Sequence, residues 1–127
     1  MMTGFVDNIE EKTEQNSFFR QVLYTGKYTQ LVVMSLLPGE EIGIEVHPVV
    51  DQFFRIEEGQ AKVIIDGQEH EVYEGFAIIV PAGSQHNVIN TGNNPLKLYT
   101  LYSPPNHPDG TIHRTRAEAI AAEEEEH

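Results

Sequence analysis

Short stretches rich in Val, Ile, Tyr, Phe and Thr recur along the chain at a spacing of roughly ten residues, separated by glycines and prolines, which is the rhythm of an all-β protein. The stretches predict strands over residues 18–24, 30–37, 42–47, 52–57, 61–66, 69–73, 77–80, 86–91 and 96–102. So many short strands in a chain of this size imply a sandwich or barrel. Between two of them lies Asp66-Gly67, the pair that a two-residue type I′ hairpin needs, because both central residues take positive φ. Pro38-Gly39, Glu58-Gly59, Glu74-Gly75 and residues 92–95 mark further corners.

The two ends differ from this pattern. Residues 1–17 are polar and acidic with no clean period and are expected to form a loosely held arm ahead of a barrel over 18–103. In 104–127, Pro104, Pro105 and Pro108 keep the chain out of a ladder, so it is expected to run extended over the surface. It then closes in a short helix. Thr115 followed by Glu118 is a capping box, and Ala117, Ala119, Ile120, Ala121 and Ala122 are mostly good helix formers. The acidic run 123–126 sets negative charge against the negative end of the helix dipole, and the last turn is expected to fray.

Length and charge narrow the function. With 127 residues, 39% of them hydrophobic, the chain has room for one core and one domain. Twenty acidic residues against eight basic ones give a net charge of -12, the wrong sign for neutralising phosphates, so neither nucleic acid nor an anionic membrane is an expected partner. No apolar run approaches the ~20 residues that span a bilayer, and the first thirty residues lack a signal segment, so a cytoplasmic location is expected. The absence of cysteine removes disulfides, thiolate nucleophiles and sulfur-ligated metals. Any metal must sit on His, carboxylate or amide ligands.

Such ligands occur in two spaced clusters. The first runs Gly39, five residues, Glu45, one residue, His47, four residues, Gln52, six residues, Gly59. Because side chains alternate across a strand, Glu45 and His47 share a face with about 7 Å between their Cα atoms, and both can reach one ion. Ile42, Ile44 and Val46 then face the other way and need a cover, for which an N-terminal strand of a second subunit is suited. Gln52 shares its face with Phe54 and Ile56, which turns its amide inward, where it needs a partner. The second cluster runs Gly75, five residues, Pro81, Ala82, Gly83, two residues, His86, three residues, Asn90. Hairpin ends brought together from the two clusters would offer two imidazoles, one carboxylate and one amide oxygen.

These spacings resemble the two motifs of the cupin superfamily, G(X)5HXH(X)3,4E(X)6G and G(X)5PXG(X)2H(X)3N. Gly39, Gly59, Gly75, Pro81, Gly83, His86 and Asn90 fall in register, and the fifteen residues between Gly59 and Gly75 match the short segment of small bacterial members. The resemblance covers residues 18–103. It implies a double-stranded β-helix barrel, jelly-roll-like, as a homodimer with one divalent metal near the barrel mouth. Two positions depart from the pattern: Glu45 stands at the first histidine and Gln52 at the glutamate. The implied shell is therefore Glu45, His47, Gln52 and His86, a set suited to zinc, manganese, iron or nickel. With Glu and Gln exchanged it is similar to the zinc shell of type I phosphomannose isomerases, and relatives with this wording are often labelled mannose-6-phosphate isomerase-like.

The resemblance implies a metal acting as Lewis acid in an isomerase or lyase on a small oxygen-rich metabolite such as a sugar. An iron dioxygenase and a ligand-binding cupin without turnover are the alternatives. Basic residues at Arg55, Lys62, Lys97, Arg114 and Arg116 are scattered, so uncharged polar substrates fit as well as phosphorylated ones. A base outside the metal shell would come from Tyr99, Tyr102 or His107, the last only if the tail folds over the mouth, since a surface loop is the expected setting of His107 and His113. His70 is expected in solvent, and Arg55 on the exterior or an interface.

Overall fold

The computed structural model describes residues 3–125. Helix α1 (Ile9–Gln15) precedes strands β1 (Arg20–Thr25), β2 (Gln30–Leu36), β3 (Glu45–Val46), β4 (Asp51–Glu58), β5 (Gln60–Ile65), β6 (Gln68–Tyr73), β7 (Ala77–Val80), β8 (Gln85–Asn90), β9 (Leu96–Ser103) and β10 (Ile112–His113), and helix α2 (Arg116–Glu125) follows. Two antiparallel sheets result, ordered β10-β1-β2-β9-β4-β7 and β3-β8-β5-β6. The all-β class with a short C-terminal helix is thus realised. Asp66 and Gly67 take φ of 48° and 83° at the β5–β6 turn, the positive values a type I′ hairpin demands.

Alternation builds the core. Val32 and Met34 of β2, Phe54 and Ile56 of β4, and Leu96 and Leu98 of β9 turn inward. They join Ala61, Val63 and Val88 of the smaller sheet in one cluster. Register then separates an apolar end of the interior from a polar one. Leu36 pairs with Leu96 at one end of β9, while Gln30 and Gln52 both lie opposite Tyr102 at the other.

The N-terminal arm is corrected. Residues 9–15 form helix α1, capped by Asn8, whose Oδ1 accepts from Glu11 N at 3.0 Å. The helix packs on β2, β4 and β9. Lys97 Nζ ties its end down by donating to Asn16 O at 2.5 Å and to Ser35 Oγ at 3.1 Å. The arm therefore lies as a helix on its own chain. Strand 42–47 is also shorter than expected. Gly43 takes φ 108° and donates its N–H to Asn87 Oδ1 at 2.9 Å, which breaks the alternation, so Ile42 packs against the core while Ile44 and Val46 stay exposed.

The tail is held on the barrel by one buried amide. Gln30 Oε1 accepts from Asn106 N and His107 N at 3.0 and 2.9 Å, and its Nε2 donates to His107 O at 2.7 Å. After the short strand β10, which the prolines concealed, α2 begins with Glu118 N donating to Thr115 Oγ1 at 3.1 Å. Glu118 Oε1 returns to Arg114 N at 3.4 Å, one residue before the expected partner. Ala119 joins the core cluster, and Arg116 Nε donates to Glu41 O at 2.6 Å. Helix α2 thus covers its own barrel, and its acidic end is helical to Glu125, with Glu126 outside the described residues.

Candidate metal centre

The polar end of the interior gathers the predicted ligands. Glu45 on β3 and His86 on β8 are direct partners across an antiparallel pair, so both side chains leave the sheets on the same side. His47 follows Glu45 by two residues and keeps its face. One ligand atom each from Glu45, His47 and His86 lies within 4.8 Å of the others, and Glu45 Oε1 stands 3.9 Å from His47 Nε2. Gln52 enters from β4 at 2% exposure, its Nε2 donating to Thr100 Oγ1 at 3.0 Å.

Buried polar atoms are normally hydrogen-bonded, and exceptions ask for a cause. Among the described residues six buried side-chain atoms lack a partner, and four of them are Glu45 Oε1, His47 Nε2, Gln52 Oε1 and His86 Nε2. Arg55 Nε is a fifth, although it stands 3.1 Å from Glu57 Oε1 in an ion pair on the outer side of β4. Arg20 Nε is the sixth. The donor set fits a divalent ion of borderline softness, because two imidazoles, a carboxylate and an amide oxygen are each left with a free lone pair. His86 Nδ1 lies 3.3 Å from Ser84 O; donating there places the proton on Nδ1 and leaves Nε2 for the metal, the usual support of a ligating histidine.

Electrostatics agree with that reading. Burial lowers His86 despite the Ser84 carbonyl and the Glu45 charge, and burial with the nearby Arg20 lowers His47, so both imidazoles are neutral as ligands must be. Burial raises Glu45 against the pull of Arg20 and His86. A carboxylate held above its ordinary range in a dry site gains a counter-charge when a cation arrives. Exchanging Gln52 for glutamate is therefore expected to tighten zinc binding about tenfold while lowering the thermal midpoint of the metal-free protein, since a second buried carboxylate then lacks a partner. Calorimetric zinc titration beside a melting curve checks both directions.

The three candidates for proton chemistry divide. Tyr99 is corrected: it follows Leu98 and precedes Thr100, both buried, so strand parity turns it outward, where its ring meets Phe53 at 6.2 Å. Tyr102 and His107 are brought to the centre. The Tyr102 ring lies 5.9 Å from that of His47, and its Oη is 3.2 Å from His107 Nε2. The surface placement of His107 is corrected too, because the Gln30 clamp turns it into a cavity of about 380 Å³ shared with Glu45 and His47. His113 reaches the same cavity, while His70 is exposed as expected. Burial pushes Tyr102 up to about 12; burial, followed by the Arg20, His113 and His47 charges, pushes His107 down to about 3.

That depression sets a pH dependence. Between about pH 6.5 and 3 the unfolded chain protonates at His107 while the folded chain does not, so the contribution of His107 is complete above 6.5 and disappears on acidification. The melting temperature of metal-free protein is expected to fall more steeply from pH 7 to 4 in the parent than in His107→Asn. Equal slopes would contradict this placement.

Asn90, in register with the second motif, is structural. Its Nδ2 donates to Leu36 O and Asn94 O, both at 2.9 Å, and its Oδ1 accepts from Gly92 N at 2.8 Å, at the apolar end of the barrel. Two residues escaped the sequence reading. Gln30 is one, since an amide in an apolar strand gives no hint of the segment it clamps. Arg20 is the other, and its signal was its parity with inward Val22.

Two antiparallel sheets closed around a core, with a His and carboxylate cluster at one end, define a β-barrel carrying a candidate metal site. Comparison with known proteins places it: the cupin domain matches residues 32–102, and the chain belongs to the cupin family. It is 56% identical over 126 residues to the uncharacterized protein YrkC of Bacillus subtilis, covering 94% of this chain and 68% of that one. The crystal structure of protein BH2720 from Bacillus halodurans superposes with a TM-score of 0.91 at 50% identity, covering 92% of this chain and 93% of that one. A segment of the Escherichia coli mannose-1-phosphate guanylyltransferase is 31% identical over 78 residues, 61% of this chain and 16% of that protein.

Proposed function

We propose that the chain is a metal-dependent enzyme of isomerase or lyase type, in which Glu45, His47, Gln52 and His86 hold one divalent transition ion and the substrate is a small oxygen-rich metabolite such as a sugar. The observation that carries this reading is the coincidence of the four predicted ligands with four of the six buried atoms left without a partner. When bound, the ion supplies Lewis acidity toward a carbonyl or hydroxyl oxygen. The remaining work falls to the chain's own groups. Tyr102 Oη keeps its proton up to about 12 and donates it to His107 Nε2 or, in exchange, to a substrate oxygen. His107 Nε2 remains an acceptor down to about 3, so the pair holds one shared proton across the physiological range. Helix α2 and the tail cover the cavity and limit water at the reacting groups. The likeness to a segment of the mannose-1-phosphate guanylyltransferase is in keeping with a sugar-like ligand.

Protein loaded in turn with zinc(II), manganese(II), iron(II) and nickel(II) tests the reading against a panel of aldoses, ketoses, uronates and hydroxy acids in deuterium oxide. Metal-dependent deuterium uptake at a carbon beside a carbonyl is expected by NMR. Oxygen consumption without exchange would replace it by dioxygenase chemistry, and neither across the panel would leave ligand binding without turnover.

We also propose that the working unit is a homodimer. Ile44 and Val46 are 71% and 50% exposed beside the site, with Val49 exposed next to them, an apolar strip of the kind that marks interfaces. Light scattering is expected to give twice the chain mass for the parent and the single mass for Ile44→Asp, Val46→Asp; a monomeric parent contradicts this.

A further inference from the structure

Arg20 is the charged group that the metal ligands leave unexplained. It opens β1, and its side chain is 1% exposed. Two cavities of about 310 and 380 Å³ lie against α2, and Arg20, Glu45 and His47 line both. Part of the guanidinium is engaged: Nη1 donates to His113 Nδ1 at 3.2 Å, and the Tyr102 hydroxyl accepts from the group as well, directions fixed because the guanidinium has no acceptor. Its carbon lies 5.4 Å from the Phe19 ring centroid, an apolar support on one face. Nε is buried with no partner. Among the described residues no ion pair involves Arg20.

A guanidinium is a permanent cation, and burying one without a counter-charge is costly unless a ligand supplies it. The nearby carboxylate that senses Arg20 is Glu45, which the metal reading assigns elsewhere. With a divalent ion in place, Glu45 offsets half of the ion's charge and Arg20 adds a further positive charge. Such a cavity favours an anion over a neutral molecule. Glu123 lines the cavity and its charge reaches Glu45, but its exposure lets water weaken it as a counter-charge. The planar donor fork of arginine matches the two oxygens of a carboxylate better than a point charge does.

We propose that Arg20 is the anion anchor of this cavity, and that the small molecule taken there is a carboxylate, of the hydroxy- or keto-acid class, paired with the guanidinium while its neighbouring oxygen faces the metal ligands. The second half rests on the metal reading above; the first half does not. Scattered surface cations gave no such preference, and this one arises because the fold brings a single buried arginine to the candidate site.

NMR titration of the full chain, metal-free and zinc-loaded, with glycolate, neutral glycolamide and inorganic phosphate tests it in the parent, Arg20→Gln and Arg20→Lys. In metal-free protein the ligand cluster offers only the negative Glu45, so a preference for glycolate there reports Arg20. Glycolate is expected to bind the parent at least tenfold more tightly than glycolamide in both forms and more tightly than phosphate. Arg20→Gln is expected to erase the preference and Arg20→Lys to keep part of it, with zinc stoichiometry unchanged in all three. An unchanged preference in Arg20→Gln, no preference in the metal-free parent, or tighter phosphate binding would each overturn the proposal. Should Arg20→Gln not fold, the metal-free parent comparison and Arg20→Lys decide it. Failure of the metal reading shows separately, as zinc that does not bind the parent.

Discussion

Replacing His47 and His86 together by alanine is expected to abolish metal binding while leaving the barrel folded. The parent should take up about one zinc or manganese ion per chain, and the variant none at the same concentration. The size of the effect follows from what is removed. Groups that merely orient a ligand cost roughly 10- to 100-fold in affinity when lost, so deleting two of four donors exceeds about 100-fold. Both imidazole Nε2 atoms are buried and unpartnered, so alanine breaks no hydrogen bond at these atoms. Besides its ring contacts with Phe54 and His47, His86 gives up its 3.3 Å contact to the Ser84 carbonyl. A ligand present at 100 times its dissociation constant stabilises the folded state by about 2.7 kcal/mol. For a domain of this size that is a rise in melting temperature on the order of 10 °C. Metal should therefore raise the parent's midpoint by about that much and leave the variant's unchanged. Equal shifts in both would place the ion somewhere else.

The largest expected effect on stability belongs to Phe54. Its ring is fully buried among the inward residues of β4 and β9, and it meets the His86 ring at 6.2 Å, inclined at 62°. Phe54→Ala removes that packing and leaves a cavity, at a cost of about 3–5 kcal/mol. Domains of this kind hold roughly 5–15 kcal/mol in all, so urea unfolding should show the variant near the edge of stability. Its neighbour is the control. Phe53 points outward against Tyr99, and Phe53→Ala should cost less than about 1.5 kcal/mol. Because Phe54 also supports His86, metal affinity should fall by about tenfold in Phe54→Ala and stay unchanged in Phe53→Ala.

The same parity that separates Phe53 from Phe54 explains what the sequence could and could not reveal. Strand identity was legible because apolar residues alternate and Gly or Pro interrupts them, and eight of the nine expected strands lie within two residues of their places. Residues 42–47 went astray because the positive φ at Gly43 resets the alternation, and a glycine in a strand pattern does not announce its dihedral angles. Glu45, His47 and His86 were legible because strand geometry and two short spacings bring them together. Tyr99 was misplaced by grouping it with Tyr102, although an odd separation puts two strand residues on opposite faces.

Other features depended on contacts far apart in the chain. Helix α1 has no apolar stripe; it is held by an Asn8 cap and by Lys97, eighty-one positions from Asn16, and a helix secured by polar contacts leaves little periodic trace. His107 reaches the cavity because Gln30, seventy-seven residues away, satisfies the tail's backbone. Arg20 passed unnoticed in the sequence, since its importance is that it is buried.

In the proposed centre, Glu45, His47, Gln52 and His86 together hold one ion at the polar end of the barrel. Anomalous diffraction from crystals of zinc-loaded protein, recorded on both sides of the metal edge, measures this directly. One peak per chain is expected, about 2.0–2.1 Å from the Nε2 atoms of His47 and His86, with oxygen ligands from Glu45 and Gln52. A peak elsewhere, or none between these four side chains in fully loaded protein, would contradict it.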